Sequence, residues 1–425
     1  MGLVGIALLF FLIVGVPIGI AFGLAALLGG NVAQIPLETF ASVANQAVNS
    51  FPLLAIPLFI LAGQIMSQGK IVKQLIDLSE MLLGKVRGSL GYVTVLASAF
   101  LGAITGSSVA TVSAIGSTVG EKMVEKGYKR GYVASLIAGA GLLGVLIPPS
   151  IPLILYGATV GVSVSDLFLA SMIPGIIMVL IFLITHRLML NRVLGEPLGN
   201  GETEAEAATK IRSKRKTFLG SIPALFMPVI ILGGIYSGLF TPTEAAAVAC
   251  LYGLIIALVA RSLKFPDLSR VFFISAVSSA AILSIIAFSN MFNFMITLEQ
   301  IPQTIAEYAI SITDNKYIFI ILVTIILFIV GMFMETNAAV LLMGVLLAPA
   351  AIQFGINPIH FGIILVTNIE IGLLTPPMAA NIYVSAKVNK SSLIEMLPFV
   401  FWFLGGAVIL LYIIVFVPSL TTWFL

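Results

Sequence analysis

Two proline pairs constrain this chain more than any other feature: Pro148-Pro149 and Pro376-Pro377 each fall inside an apolar run, 228 residues apart. Proline has no N–H and cannot continue a helix. Each pair therefore opens the backbone where lipid offers it no hydrogen bonds. Such a break is tolerated only if protein buries it or it lines a wet cavity. In the apolar run before each pair comes a second polar interruption, Gly106-Ser107-Ser108 in the first half and Glu335-Thr336-Asn337 in the second. The halves align without a gap: Ala110 meets Ala338, Gly116 meets Gly344, Gly127 meets Gly355 and Gly144 meets Gly372.

The chain is 60% apolar and 9% charged, where soluble proteins carry about a quarter charged residues, so it reads as a polytopic membrane protein. A net charge of +3 gives no nucleic-acid signal, and the single Cys250 excludes an internal disulfide framework. Apolar runs at roughly 3–29, 51–69, 88–120, 131–165, 167–186, 217–240, 243–260, 271–297, 317–355, 358–386 and 393–417 mark the membrane segments. The first is expected to be a retained span rather than a signal peptide. Residues 187–216 form the one long polar linker, and the amphipathic pieces 70–87 and 298–316 are expected to lie at the interface.

Run 88–120 is too long for one crossing at 1.5 Å per residue and too short for two with a turn. Basic residues flank both ends, Lys85 and Arg87 before and Lys122, Lys126, Lys129 and Arg130 after. Positive charge collects on the cytoplasmic side, so the run is expected to enter and leave by the same face as a re-entrant hairpin. Run 317–355 is expected to be a second hairpin from outside. That topology leaves only Lys316 of the 21 Lys and Arg outside, with the N-terminus cytoplasmic and the C-terminus periplasmic. An odd number of crossings between the copies makes them inverted repeats, a recurring design of secondary transporters with the site near the midplane.

Each half thus sets a hairpin tip against a helix break. Ser107 and Ser108 are expected to meet Gly144 to Ser150, and Thr336 and Asn337 to meet Thr375, Pro376, Pro377, Met378 and Ala379. Hydroxyls and freed carbonyls suit sodium, a small hard cation; the bland alternative is tight helix packing. An anion would sit between the tips, held by half-helix N-termini. Ser289, Asn290 and Asn293 of 271–297 and Asn381 are candidates to line its pocket, or else to bond between helices. Intramembrane acids are functional suspects: Glu335 at the outer tip, and Glu370, whose mate at the same offset is Leu142. Glu244 in TPTEAAA reads as a helix cap. No nucleophile–base pair or metal-ligand set is spaced for catalysis, and His186 and His360 lie in different halves, so an enzyme is not expected. A channel or a stand-alone anion/sodium symporter remain alternatives.

At GGIYSGLFTPTEAAAVACLYG (233–253), ITGSSVATVSAIG (104–116), GVLIPPSIPLILYG (144–157) and IGLLTPPMAANIYV (371–384) the chain resembles the large membrane subunit of tripartite ATP-independent periplasmic (TRAP) transporters. The resemblance implies sodium-coupled import of an organic acid anion across the bacterial inner membrane. It also implies a separate small four-helix membrane subunit and a periplasmic substrate-binding protein. Sialic acid is the expected substrate, with C4-dicarboxylates the alternative. It implies an elevator-type fold in which the transport domain, 88–165 with 317–387, slides within a scaffold. The scaffold would comprise 1–87, 166–316 and the C-terminal helix of 388–425. The sodium ligands implied are Ser107, Ser108, Gly144, Ile147 and Pro149 in one half, and Thr336, Asn337, Thr375 and Met378 in the other.

Overall fold

The computed structural model describes residues 2–68, 71–83, 86–194, 221–377 and 379–425. Among them the chain is helical apart from an isolated bridge between Tyr128 and Leu194. Seven helices are long and apolar enough to cross a bilayer, and an eighth candidate, Arg130–Leu146 with Ile151–Val160, is bent by 41°. This is a multi-pass membrane protein.

The N-terminal run departs from expectation. Instead of one span over 3–29 there are two short helices, α1 (Gly2–Ile13) and α2 (Ile18–Val32). Gly15 at φ +86° ends the first and Pro17 opens the second. Val4 lies against Gly29, so the pair folds back on itself. At about 18 and 22 Å neither helix crosses a core of about 30 Å. α3 (Leu37–Val48), a 3-10 turn, α4 (Ala55–Gln68) and the amphipathic α5 (Ile71–Leu83) follow.

Run 88–120 becomes two antiparallel helices, α6 (Ser89–Thr105) and α7 (Ser108–Glu125). Thr94 Oγ1 is 3.3 Å from Met123 Sδ near their open end, and Thr105 Oγ1 is 3.1 Å from Thr111 Oγ1 at the tip. α8 (Arg130–Ala140) and the single turn α9 (Leu143–Leu146) lead into the first break, after which α10 (Ile151–Val160) resumes. α11 (Val164–Val193) runs past residue 187, where the polar linker was expected to begin. The rest of that linker lies outside the described residues. α12 (Ser221–Tyr236), α13 (Pro242–Val259), α14 (Phe265–Leu298) and α15 (Ile301–Ile312) complete the middle of the chain. Thr241 and Glu244 form a reciprocal cap on α13, the structural role expected of that acid.

The second half has a similar order of elements. α16 (Lys316–Phe333) and α17 (Thr336–Gln353) make another antiparallel pair, its open end closed by Phe319 stacked on Phe354 at 4.2 Å. α18 (Pro358–Gly372), a break, α19 (Ala380–Val388), α20 (Leu393–Phe416) and α21 (Ser419–Thr422) follow. The starts of α7 and α17, and of α8 and α18, differ by the same 228 residues as the proline pairs.

The halves interlock. Gly116 and Gly120 of α7 press on Val388 and Asn389 at the end of α19. Ser385 Oγ donates to Ala134 O at 2.6 Å, and Ser135 Oγ to Met396 O at 3.0 Å. At this end Arg130 joins three elements. It pairs with Glu121 at 3.0 Å and donates to Asn389 O at 2.7 Å, and its guanidinium holds the exposed Glu121 carboxyl below the usual range. Tyr156 of α10 donates to Pro358 O at the start of α18, at 2.7 Å. One apolar core runs through both halves.

Candidate functional site

Local sequence explains each tip. Gly106 takes φ +61°, the left-handed conformation that closes a helix C-terminus, and Ser107 caps α7 by accepting from Ala110 N. Ile151 N donates to Gly106 O at 3.2 Å, fixing the first tip to the first break. Contact between them is backbone to backbone. A Cβ on Gly144 would lie 2.6 Å from Ser107 O and 2.6 Å from Thr111 Oγ1, and one on Gly102 would lie 2.5 Å from Leu143 O. Thr111 Oγ1 donates to Ser107 O at 2.9 Å, holding the loop in that groove.

The second tip lacks a glycine and uses an acid. Glu335 caps α17, accepting from Ala338 N at 3.2 Å and from Asn337 Nδ2 at 2.7 Å. Its position on the tip is thereby explained by capping. Thr336 Oγ1 turns inward and donates to Glu370 Oε1 at 2.9 Å. Glu370, on the last turn of α18, is fully buried, and its Oε2 has no hydrogen-bond partner. Ser108 of the opposite tip is buried and lines the same cavity as Glu370.

These parts line a partly open cavity of about 80 Å³. Ser107, Ser108 and Val109 of the first tip, Thr336 and Asn337 of the second, Ile151 and Pro152 after the first break, and Ala380 after the second line it, with Glu335 and Glu370. Four helices, α7, α10, α17 and α19, begin at its wall. Each N-terminus carries main-chain N–H groups without intrahelical partners and about half a positive charge; Ser107, Ser150 and Glu335 each accept from one of them, at α7, α10 and α17. Among the described residues the lining contains no Lys, Arg or His.

Other expected residues stand as follows. Pro149 O and Gly144 lie against the first tip, whereas the Ile147 side chain packs beside Gly175 of α11. Thr375 Oγ1 and both side-chain heteroatoms of Asn381 are buried without partners. Met378 lies outside the described residues. Ser289 and Asn290 are not brought to the cavity: each bonds Ile286 O one turn back in α14, and α14 reaches the lining through Ile282. Asn293 instead donates to Leu341 O at 3.3 Å, tying α14 to α17. Serine and asparagine on a long apolar helix satisfy themselves locally, and sequence alone did not separate that from pocket lining. Conversely, Glu370 proves central to the cavity although Leu142 matches it in the other half. Its intramembrane charge was the signal. Among the described residues no group of three His, Cys, Asp or Glu is gathered as a metal centre.

Comparison with known proteins brings the same region into a family. A family model described as "Tripartite ATP-independent periplasmic transporter, DctM component" matches residues 5–420. The C4-dicarboxylate TRAP transporter large permease protein DctM of Rhodobacter capsulatus is 35% identical over 432 residues, covering 97% of this chain and 96% of its own. The sialic acid TRAP transporter large permease protein SiaM of Vibrio cholerae is 31% identical, covering 91% of this chain and 86% of its own. The isethionate TRAP transporter permease protein DctMQ of Oleidesulfovibrio alaskensis is 36% identical over 97% of this chain, which spans 64% of that relative. Among solved structures, the Alcanivorax borkumensis YdaH transporter shares the fold at a TM-score of 0.60 and 13% identity, over 91% of this chain and 87% of its own. Neisseria gonorrhoeae MtrF does so at 0.61 and 16%, over 90% and 85%.

Proposed function

Because the chain belongs to the DctM component family of tripartite ATP-independent periplasmic transporters, we propose that it is the large permease subunit of a sodium-coupled importer of an organic acid anion. The observation that carries this reading is the convergence of four helix N-termini on a cavity without a basic side chain. Amide groups and dipole ends hold an anion there, while tip hydroxyls and break carbonyls offer oxygen to sodium. The sodium ligands proposed are Ser107, Ser108, Gly144, Ile147 and Pro149 on one side and Thr336, Asn337, Thr375 and Met378 on the other. Ser107, Ser108, Thr336, Asn337 and Asn381 are the proposed contacts to the anion.

The two hairpin tips share the cavity while the hairpin bodies have no extensive packing face in common. That geometry favours inverted repeats entering from opposite sides. The helices α5 and α15 pack on α6 and α17 respectively, as arms joining a moving core to a frame would in an elevator. On this reading cysteines placed at 87 and 122 label from the cytoplasmic side together. Labelling from opposite sides would reject the hairpin.

The relatives named above carry a C4-dicarboxylate, sialic acid and isethionate. All are acids, and the class is what this reading commits to. Sialic acid and succinate uptake, compared in one preparation, decide between the two expected substrates. A small membrane subunit and a periplasmic binding protein are the proposed partners, in the inner membrane. The family is tripartite, and about a third of the DctMQ relative extends beyond the match. Robust uptake into liposomes without a binding protein would favour a stand-alone symporter instead. Ser108→Ala and Thr336→Ala are expected to raise the sodium concentration for half-maximal uptake about tenfold, roughly the loss of one buried polar contact. Unchanged sodium dependence at matched abundance would remove these residues from the ion site.

A further inference from the structure

The cavity described above poses an electrostatic problem that anion transport makes worse. Among the described residues its lining carries two carboxylates, Glu335 and Glu370, and no basic group. Glu335 is committed to the α17 cap, with both oxygens engaged. Glu370 differs. It is fully buried, Thr336 satisfies Oε1, and Oε2 is left without a partner. A buried carboxylate is costly unless it is paired or binds a cation. The helix N-termini that line the cavity with Glu370 also face an incoming anion, so an ionised Glu370 competes with that anion for the same dipoles. A second anion entering about 80 Å³ has to share those dipoles with it.

We propose that Glu370 is itself a sodium seat, shared by the two hairpin tips, and that sodium bound there is what admits the anionic substrate. The inference deepens the symport reading and rests on it. Oxygens from both tips share the cavity wall with the carboxylate: Oε2 of Glu370 is unpartnered, Thr336 of the second tip bonds Oε1, Ser108 of the first tip lines the same cavity, and Asn337 Oδ1 there is buried without a partner. Sodium favours several oxygens, one of them charged. Because these come from both hairpins, an ion here ties the tips together. The seat is therefore distinct from ligand sets confined to one tip and its own break. Its charge also makes anion binding depend on sodium at this position.

The test is equilibrium binding of radioactive sodium to the purified full-length chain, with parent, Glu370→Gln, Glu370→Asp and Thr111→Val compared. Thr111 binds only within the first tip and serves as the variant that perturbs a tip while leaving the carboxylate alone. Glu370→Gln is expected to bind fewer sodium ions per chain, or to need about tenfold more sodium for half-saturation, as loss of a charged buried ligand implies. Glu370→Asp should fall between it and the parent. Substrate binding by Glu370→Gln should lose most of its sodium dependence. Sodium binding by Glu370→Gln equal to the parent would overturn the proposal. So would a sodium-independent loss of the pH dependence of uptake, which would make the carboxylate a proton carrier instead. If the parent itself binds no sodium, the symport reading fails first, which separates the two. Should Glu370→Gln fail to fold, Glu370→Asp and Thr336→Val carry the test, and parent-like sodium affinity in both would overturn it.

Discussion

Gly144→Ala is expected to abolish uptake while leaving measurable protein in the membrane. One methyl group is enough because its carbon would lie 2.6 Å from both Ser107 O and Thr111 Oγ1, inside any real contact distance. Neither neighbour is a flexible chain end: one is main chain and the other is a hydroxyl that donates to that same carbonyl. The first tip must therefore retreat from the break, and the Gly106–Ile151 hydrogen bond stretches with it. Overpacking of this kind costs about 1–3 kcal/mol, a loss a protein of this size can survive. Displacing tip oxygens by a fraction of an ångström has a larger consequence for an ion that needs several at once. Gly405→Ala on α20, where a Cβ meets nothing within 4 Å, is the matched control and should transport normally. Uptake and thermal unfolding measured on both variants check the result, and active Gly144→Ala would show the tip–break contact to be dispensable.

The second large effect is on stability. Tyr156 is fully buried, with its ring between Gly344 of α17 and Gly362 of α18, and its hydroxyl donates to Pro358 O at 2.7 Å. Tyr156→Ala removes the ring from between two helices of the other half and should lower stability by about 3–5 kcal/mol, the range for deleting a buried aromatic. Tyr156→Phe keeps the ring and loses only the hydrogen bond, about 1 kcal/mol. A thermal-unfolding series should order them parent, Phe, Ala, with the larger step at Ala. Equal losses would mean that the hydrogen bond, not the packed ring, joins the halves.

Much of this architecture is legible in the residues. Proline pairs and Gly-Ser-Ser report breaks because they act through the backbone within a few residues, and constant spacing relates the two copies. The antiparallel turn at 106–107 follows from run length and flanking charge. Where sequence failed, one cause was a local bend that hydropathy does not register, and the others were tertiary. The first run was expected as one span because Val14–Pro17 lacks charge, and hydropathy does not register a bend made by Gly15 and Pro17 alone. Ser289 and Asn290 were candidates for the cavity because polarity is visible in a sequence, whereas the direction a helix faces is set by its neighbours. Glu370 was flagged by its charge, but its place between the tips depends on α18 bringing it to Thr336, 34 residues earlier.

On the proposed reading, a pocket that attracts negative charge through amide groups has an unusual mutational profile. Point substitutions cannot delete a peptide N–H, save by proline, so the preference for acids is hard to lose by mutation. The walls are another matter: Val109, Ile282 and Leu373 are ordinary side chains, free to be exchanged for larger, smaller or more polar ones. Over evolutionary time such a site can drift from one acid to another while never ceasing to prefer acids.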